Sequence, residues 1–136
     1  YLGQKDAQQV AVIRRLVSDL DIPVRIVVCP TIREDDGLAF SSRNVQLGAS
    51  QRQAATILYK ALAATRDRYR AGNHNYHELI DGCRRIIESE KLIDKTDYIE
   101  IVDAENFTKW DEKGPCLLLA SVKLGDIRLI DNVLMD

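Results

Sequence analysis

CLLLASVKLGDIRLID, residues 116–131, decides the fold class. Cys116 to Leu124 is dominated by Leu, Ala and Val, a length and composition suited to a strand. Gly125-Asp126 interrupts the run and IRLID at 127–131 resumes it, which predicts a tight hairpin. Upstream, TDYIEIVDA at 96–104 alternates with a period of two. Tyr98, Glu100 and Val102 face one way, and Ile99, Ile101 and Asp103 the other. The three segments predict a small, mostly antiparallel three-stranded sheet. ENFTKWDEKGP at 105–115 is polar and reads as a loop. Its Phe107 and Trp110 are expected to plug the sheet edge or cover an interface, without chemistry of their own.

Moving outward, the preceding stretch has helical period. Ser50 and Gln53 have capping-box spacing, and residues 51–70 carry Ala54, Ile57, Leu58, Ala61, Leu62 and Thr65 as one apolar stripe. Gly72 is a stop, and Asn75 with Glu78 opens a further helix over roughly 76–90 with Leu79, Cys83, Ile86 and Ile87 inward. Two helices packed on the sheet make residues 49–136 an α+β domain. PTIREDDGLAFSSRN at 30–44 has no period, and residues 31–48 read as a linker and loop, expected to be mobile. In DAQQVAVIRRLVSDL, residues 6–20, Asp6 and Gln9 have capping-box spacing and Val10, Ile13, Val17 and Leu20 recur at helical steps, with Leu16 beside them. VRIVV at 24–28 suits a buried parallel strand, so residues 1–30 form an α/β fragment.

Composition narrows the class. Nineteen basic against twenty-one acidic residues give a net charge of -2, which argues against a nucleic-acid coat. Hydrophobic types at 46% exclude a disordered chain. No stretch approaches the roughly 18 apolar residues of a membrane span, and YLGQKD has no signal-peptide pattern, so a cytoplasmic protein is expected. Cys29, Cys83 and Cys116 each sit among apolar neighbours and are expected to be reduced, buried thiols. His74 and His77 read as surface or capping residues; no metal site and no Ser-His-Asp triad is expected.

Three segments can carry chemistry. GQKD at 3–6 offers Gly3 for close backbone approach, Lys5 for charge and the open amides of a helix start, a combination that can hold a phosphate. It reads equally as a capped surface helix with a solvated lysine, since no Walker or GxGxxG pattern is present. Ser41-Ser42-Arg43 supplies two hydroxyls and a guanidinium that can surround phosphate oxygens, or can simply be a polar loop capping the next element. Arg33 and Glu34 read either as site residues or as a local ion pair. Gln8-Gln9 can bind a carboxylate or hydroxyl, or serve the helix cap.

Taken in series, Gly3-Gln4-Lys5-Asp6-Ala7-Gln8-Gln9, Pro30-Thr31-Ile32-Arg33-Glu34, Asp36-Gly37-Leu38-Ala39 and Ser41-Ser42-Arg43-Asn44 resemble the pantothenate synthetase (pantoate–beta-alanine ligase) family. The resemblance continues through Tyr98 to Asp103 and ends in Arg128-Leu129-Ile130-Asp131-Asn132. It covers the C-terminal portion of that family. It implies that residues 1–30 are the tail end of a Rossmann-like nucleotide-binding domain, 31–48 a linker and active-site loop, and 49–136 a C-terminal α+β lid.

The resemblance also implies the reaction. ATP adenylates the carboxylate of pantoate with loss of pyrophosphate, and beta-alanine then displaces AMP to give pantothenate. By the same resemblance Lys5, Ser41, Ser42 and Arg43 act on the phosphates, Gly3 and Asp6 touch ribose, the Ile32 backbone faces adenine, and Gln9 holds pantoate. Mg2+ is expected, with its protein ligand upstream of Tyr1, as are the family's histidines and the N-terminal half as a partner. The chain alone is therefore expected to be inactive, and a homo-oligomer is possible for the whole enzyme. Phe40 stands where the family commonly has Met, which can alter how the loop closes. The alternative is a non-catalytic structural or partner-binding α+β domain derived from that ligase.

Overall fold

The computed structural model describes all 136 residues. In chain order they form β1 (Leu2–Gly3), α1 (Ala7–Asp19), β2 (Val28–Cys29), α2 (Ala49–Ala54), α3 (Thr56–Arg70), α4 (Tyr76–Glu88), β3 (Lys95–Asp103), β4 (Cys116–Leu124) and β5 (Ile127–Met135). Short 3-10 turns occupy Gln4–Asp6 and Ser42–Gln46. No helix is long and apolar enough to cross a membrane.

The sheet is antiparallel in the order β3-β4-β5. Its hairpin pairs Leu124 with Ile127, and Gly125 takes a φ of +60° at the first turn position, a conformation that costs a glycine little. Central β4 is covered on both faces, and Lys123 is its one exposed residue. Leu118, Ala120, Val122 and Leu124 meet Leu58 and Leu62 of α3 and Leu79, Cys83 and Ile87 of α4 in one core. Fully burying each leucine stabilises the fold by about 1.5–3 kcal/mol. The opposite face sets Leu117, Leu119 and Val102 against Ala7 at the start of α1. Hence a run that looks uniformly apolar serves two different layers.

Several expectations need correction. The long helix 51–70 is two helices broken at Ala55, and its cap is Gly48, whose N–H donates to Gln51 Oε1 at 3.0 Å, rather than Ser50 with Gln53. The returning strand runs four residues past 131, to Met135. The pairing of β3 with β4 shifts between Thr96 and Tyr98, which gives Asp97 freedom to meet Arg128 at 3.1 Å. By contrast Asn75 caps α4 as read, accepting from Glu78 N–H at 3.0 Å. Trp110 is fully buried in the main core and donates to the Lys113 carbonyl, while Phe107 covers the smaller cluster beside α1.

The N-terminal elements depart further. β2 is only Val28–Cys29, pairing parallel with Leu2–Gly3, and Val24 is 55% exposed. A parallel strand is stable when neighbours and helices cover both sides, and here there is one neighbour. Cys29 is exposed, unlike buried Cys83 and Cys116. Asp6 precedes α1 but makes no side-chain cap, so no capping box with Gln9 forms. Val12 and Leu16 lie exposed on α1, as does Leu20 just past its end.

The aperiodic stretch is anchored at several points. Arg33 and Ala39 form an antiparallel bridge, Leu38 and Ala39 are buried, and Gly37 turns the chain at φ +90°. A Cβ on Gly37 would collide with the Tyr59 ring, so only glycine fits there.

Candidate functional site

Chain leaving β1 tightens into the turn Gln4–Asp6 and then enters α1. That turn is held from across the molecule. Asn132 Nδ2 donates to the Gln4 carbonyl at 2.9 Å and to the Lys5 carbonyl at 3.0 Å. No side chain caps α1, and the positive end of its dipole lies beside Lys5, where a negative group is favoured.

Lys5, Asp6, Gln8 and Gln9 face Tyr98, Glu100, Asp131 and Asn132 across a cleft of about 590 Å³. Lys5 also borders a narrow crevice with Ala39, Ser41, Asn44 and Asp131. Two sequence-read segments, GQKD and SSRN, therefore converge at Lys5 and Ser41. Ser41 Oγ accepts from the Arg43 N–H at 3.2 Å and starts the short 3-10 turn. Ser42 and Arg43 are exposed and lie outside both cavities. Ile32 is 73% exposed; its carbonyl accepts from Phe40 N–H at 2.9 Å, and its own N–H has no backbone partner. Phe40 is itself exposed. Gly3 sits at an ordinary φ of -78° with open space beside it, so access is what it provides there.

The strongest polar node lies beside these residues. Arg33 binds Asp131 through two nitrogens, at 2.6 and 3.0 Å. The same guanidinium donates to the Gly37 carbonyl at 3.1 Å and the Asn132 carbonyl at 3.2 Å, and lies 4.0 Å over the Tyr59 ring. Burial pushes the Asp131 carboxyl above the ordinary range, against the pull of Arg33, the Asn132 N–H and Lys5. Asp36 is instead held low by Arg52 and by the Leu38 N–H. Residue-by-residue reading assigned no role to Asp131 or Asn132, and left Arg33 between a site residue and an ion pair with its neighbour Glu34. The available clue was a carboxylate and an amide inside the otherwise apolar stretch LIDNVLM, residues 129–135.

Burial raises the Cys83 thiol to about 11 and the Cys116 thiol to about 12, so neither is a ready nucleophile. His74 stacks on Tyr69 at 4.5 Å. No group of three or more His, Cys, Asp or Glu side chains is arranged to hold a metal ion.

A family model described as pantoate-beta-alanine ligase matches residues 1–134. The chain belongs to the pantoate–beta-alanine ligase family. It is 46% identical over its full length to a pantothenate synthetase of Roseiflexus castenholzii, of which it covers 49%. It is 45% identical to a bifunctional pantoate ligase/cytidylate kinase of Synechococcus, covering 25% of that longer protein. Among solved structures, pantothenate synthetase of Thermus thermophilus superimposes with a TM-score of 0.91 at 36% identity, over 98% of this chain and 48% of that one. The chain thus spans about half the length of most of the relatives it matches, and corresponds to a C-terminal portion of them.

Proposed function

We propose that this chain is the C-terminal part of a ligase that condenses pantoate with beta-alanine through a pantoyl adenylate. The observation that carries the reading is the convergence of Lys5, Asp6, Gln9 and Ser41 around one helix start, in a chain matched by the family model over residues 1–134. A family member from Francisella tularensis, 32% identical with a TM-score of 0.63, was solved with a beta-gamma ATP compound and beta-alanine, which supports the same ligands here.

In the first step a pantoate carboxylate oxygen attacks the α-phosphorus of ATP, and the bond to pyrophosphate breaks. In the second, the unprotonated amine of beta-alanine attacks the acyl carbon, AMP leaves with the bridging oxygen, and one proton is released. Lys5 and the start of α1, which no side chain caps, counter charge that grows on the phosphates. Ser41, Ser42 and Arg43 approach from the loop side, the loop closing to bring Arg43 inward. Gln9 holds pantoate, Gly3 and Asp6 meet ribose, and the free Ile32 N–H donates to adenine. Mg2+ would neutralise phosphate charge, and the family resemblance assigns its protein ligand to the preceding half. The division at 1–30, 31–48 and 49–136, a cytoplasmic setting and a homo-oligomeric whole enzyme belong to the same proposal.

The test is single-turnover formation of pantoyl adenylate by the full-length protein, with ATP and pantoate varied separately. Lys5→Ala and Arg43→Ala should each lose about 2–4 kcal/mol of transition-state stabilisation, roughly 30- to 1000-fold in rate. Gln9→Ala should show its main defect at pantoate. Near-normal adenylation by both charge variants would reject the assignment. The 136-residue chain alone should release no AMP from ATP, pantoate and beta-alanine; turnover at a normal rate would show that the upstream half is dispensable.

A further inference from the structure

We propose that Asn132 is a positioning residue that fixes Lys5 for the nucleotide, a role that rests on the ligase reading above. The side-chain amide of Asn132 is held on both its nitrogen and its oxygen. Both Nδ2 protons go to consecutive carbonyls, those of Gln4 and Lys5, and Oδ1 accepts from Gln4 Nε2 at 3.5 Å. Its backbone is held as firmly, with its N–H on Asp131 Oδ1 at 2.8 Å and its carbonyl on Arg33. The residue is 1% exposed, so no water shell can replace these bonds. Gripping two successive carbonyls fixes the two peptide planes that flank Lys5, Gln4–Lys5 and Lys5–Asp6, and with them the direction in which the Lys5 side chain leaves the backbone.

The neighbouring residue does the same for the other nucleotide segment. Asp131 holds Arg33, the residue after Ile32, so adjacent positions of β5 anchor both stretches expected to touch ATP. A two-residue element of the hairpin therefore sets the spacing between the phosphate end and the adenine end of the site. Neither residue need touch the nucleotide to do this.

A double-mutant cycle in the full-length protein tests the role. Asn132→Ala should slow adenylation roughly 10- to 100-fold while changing the pantoate KM less than about threefold. Added to Lys5→Ala, it should slow the reaction less than about threefold further, because the group it positions is already gone. Multiplication of the two full effects would overturn the proposal, since a merely structural loss adds independently. Should Asn132→Ala fold poorly, Asn132→Ser keeps a shorter donor and the measurement moves to NMR without substrates. The carbonyl shifts of Gln4 and Lys5 should then change and backbone order should fall at residues 4–6, while Leu129 and Val133 keep theirs. Unchanged order at 4–6 would overturn the positioning role whatever the enzyme catalyses. Unimpaired adenylation by Lys5→Ala would overturn the nucleotide role of Lys5 and with it this proposal, whereas no adenylation by the unsubstituted full-length protein would sink the ligase reading and leave the NMR result in force.

Discussion

Residues 1–30 and residues 49–136 have similar proportions of apolar residues and end in opposite states. The later stretch closes around β4, with Leu58, Leu62, Leu79 and Leu118 at or near zero exposure. The earlier one keeps a two-residue parallel ladder and shows Val12, Leu16, Leu20 and Val24 to solvent. Apolar period thus predicts an element, while burial depends on what packs against it. In relatives about twice as long, the earlier stretch has roughly half a protein preceding it.

The largest expected effect lies at the joint between the two. Arg33→Ala leaves the Asp131 carboxyl buried without its guanidinium and should cost about 3–5 kcal/mol in urea unfolding. The sign with pH comes from burial having raised this carboxyl. A raised folded-state pKa gives stability that is present at low pH and lost as pH rises through it. Without Arg33 the carboxyl rises further, so the penalty should be larger near about pH 8 than near about pH 5. A penalty that does not change with pH would mean Asp131 is not the group left stranded.

Next in size is a core truncation. Leu62→Ala should cost about 2–5 kcal/mol by the same measurement, the range for a leucine removed from a closed core. Asn75→Ala should cost about 1 kcal/mol, for one lost helix cap, read as a shift of the urea midpoint at unchanged slope. The smallest stability change belongs to the open region. Leu16→Ser should stay within about 0.5 kcal/mol. Paired with Leu20→Ser, it should reduce concentration-dependent self-association of the 136-residue chain in light scattering. A core-sized penalty at Leu16 would erase the contrast between the regions.

What was legible in the sequence was local. The hairpin turn at Gly125, the Asn75 cap and the alternating faces of β3 each depend on residues within a few positions. The capping patterns at Asp6 and Ser50 failed because the same spacing was available to competitors: α1 starts from a 3-10 turn, and Gln51 reached Gly48 first. The strand at 24–28 failed because its composition assumes a wider sheet. Cys29 shared an apolar neighbourhood in sequence with no cover in space. At the candidate site GQKD and SSRN were readable as compact motifs. The Arg33–Asp131 pair, 98 positions apart, and the Asn132 clasp, 127 and 128 apart, have no period to betray them.

That clasp has a consequence in time. The Gln4 carbonyl emerges early in synthesis of this stretch and its partner amide comes 128 residues later. At about 5–20 residues per second, the interval is roughly 6–25 s. Helices α1, α3 and α4 can all form meanwhile, since a helix needs only microseconds. The Lys5 turn therefore waits, unclasped, until the last strand has been made. A ribosome-bound chain halted before Asn132 would have its helices and its lysine, and no fixed direction for that lysine to point.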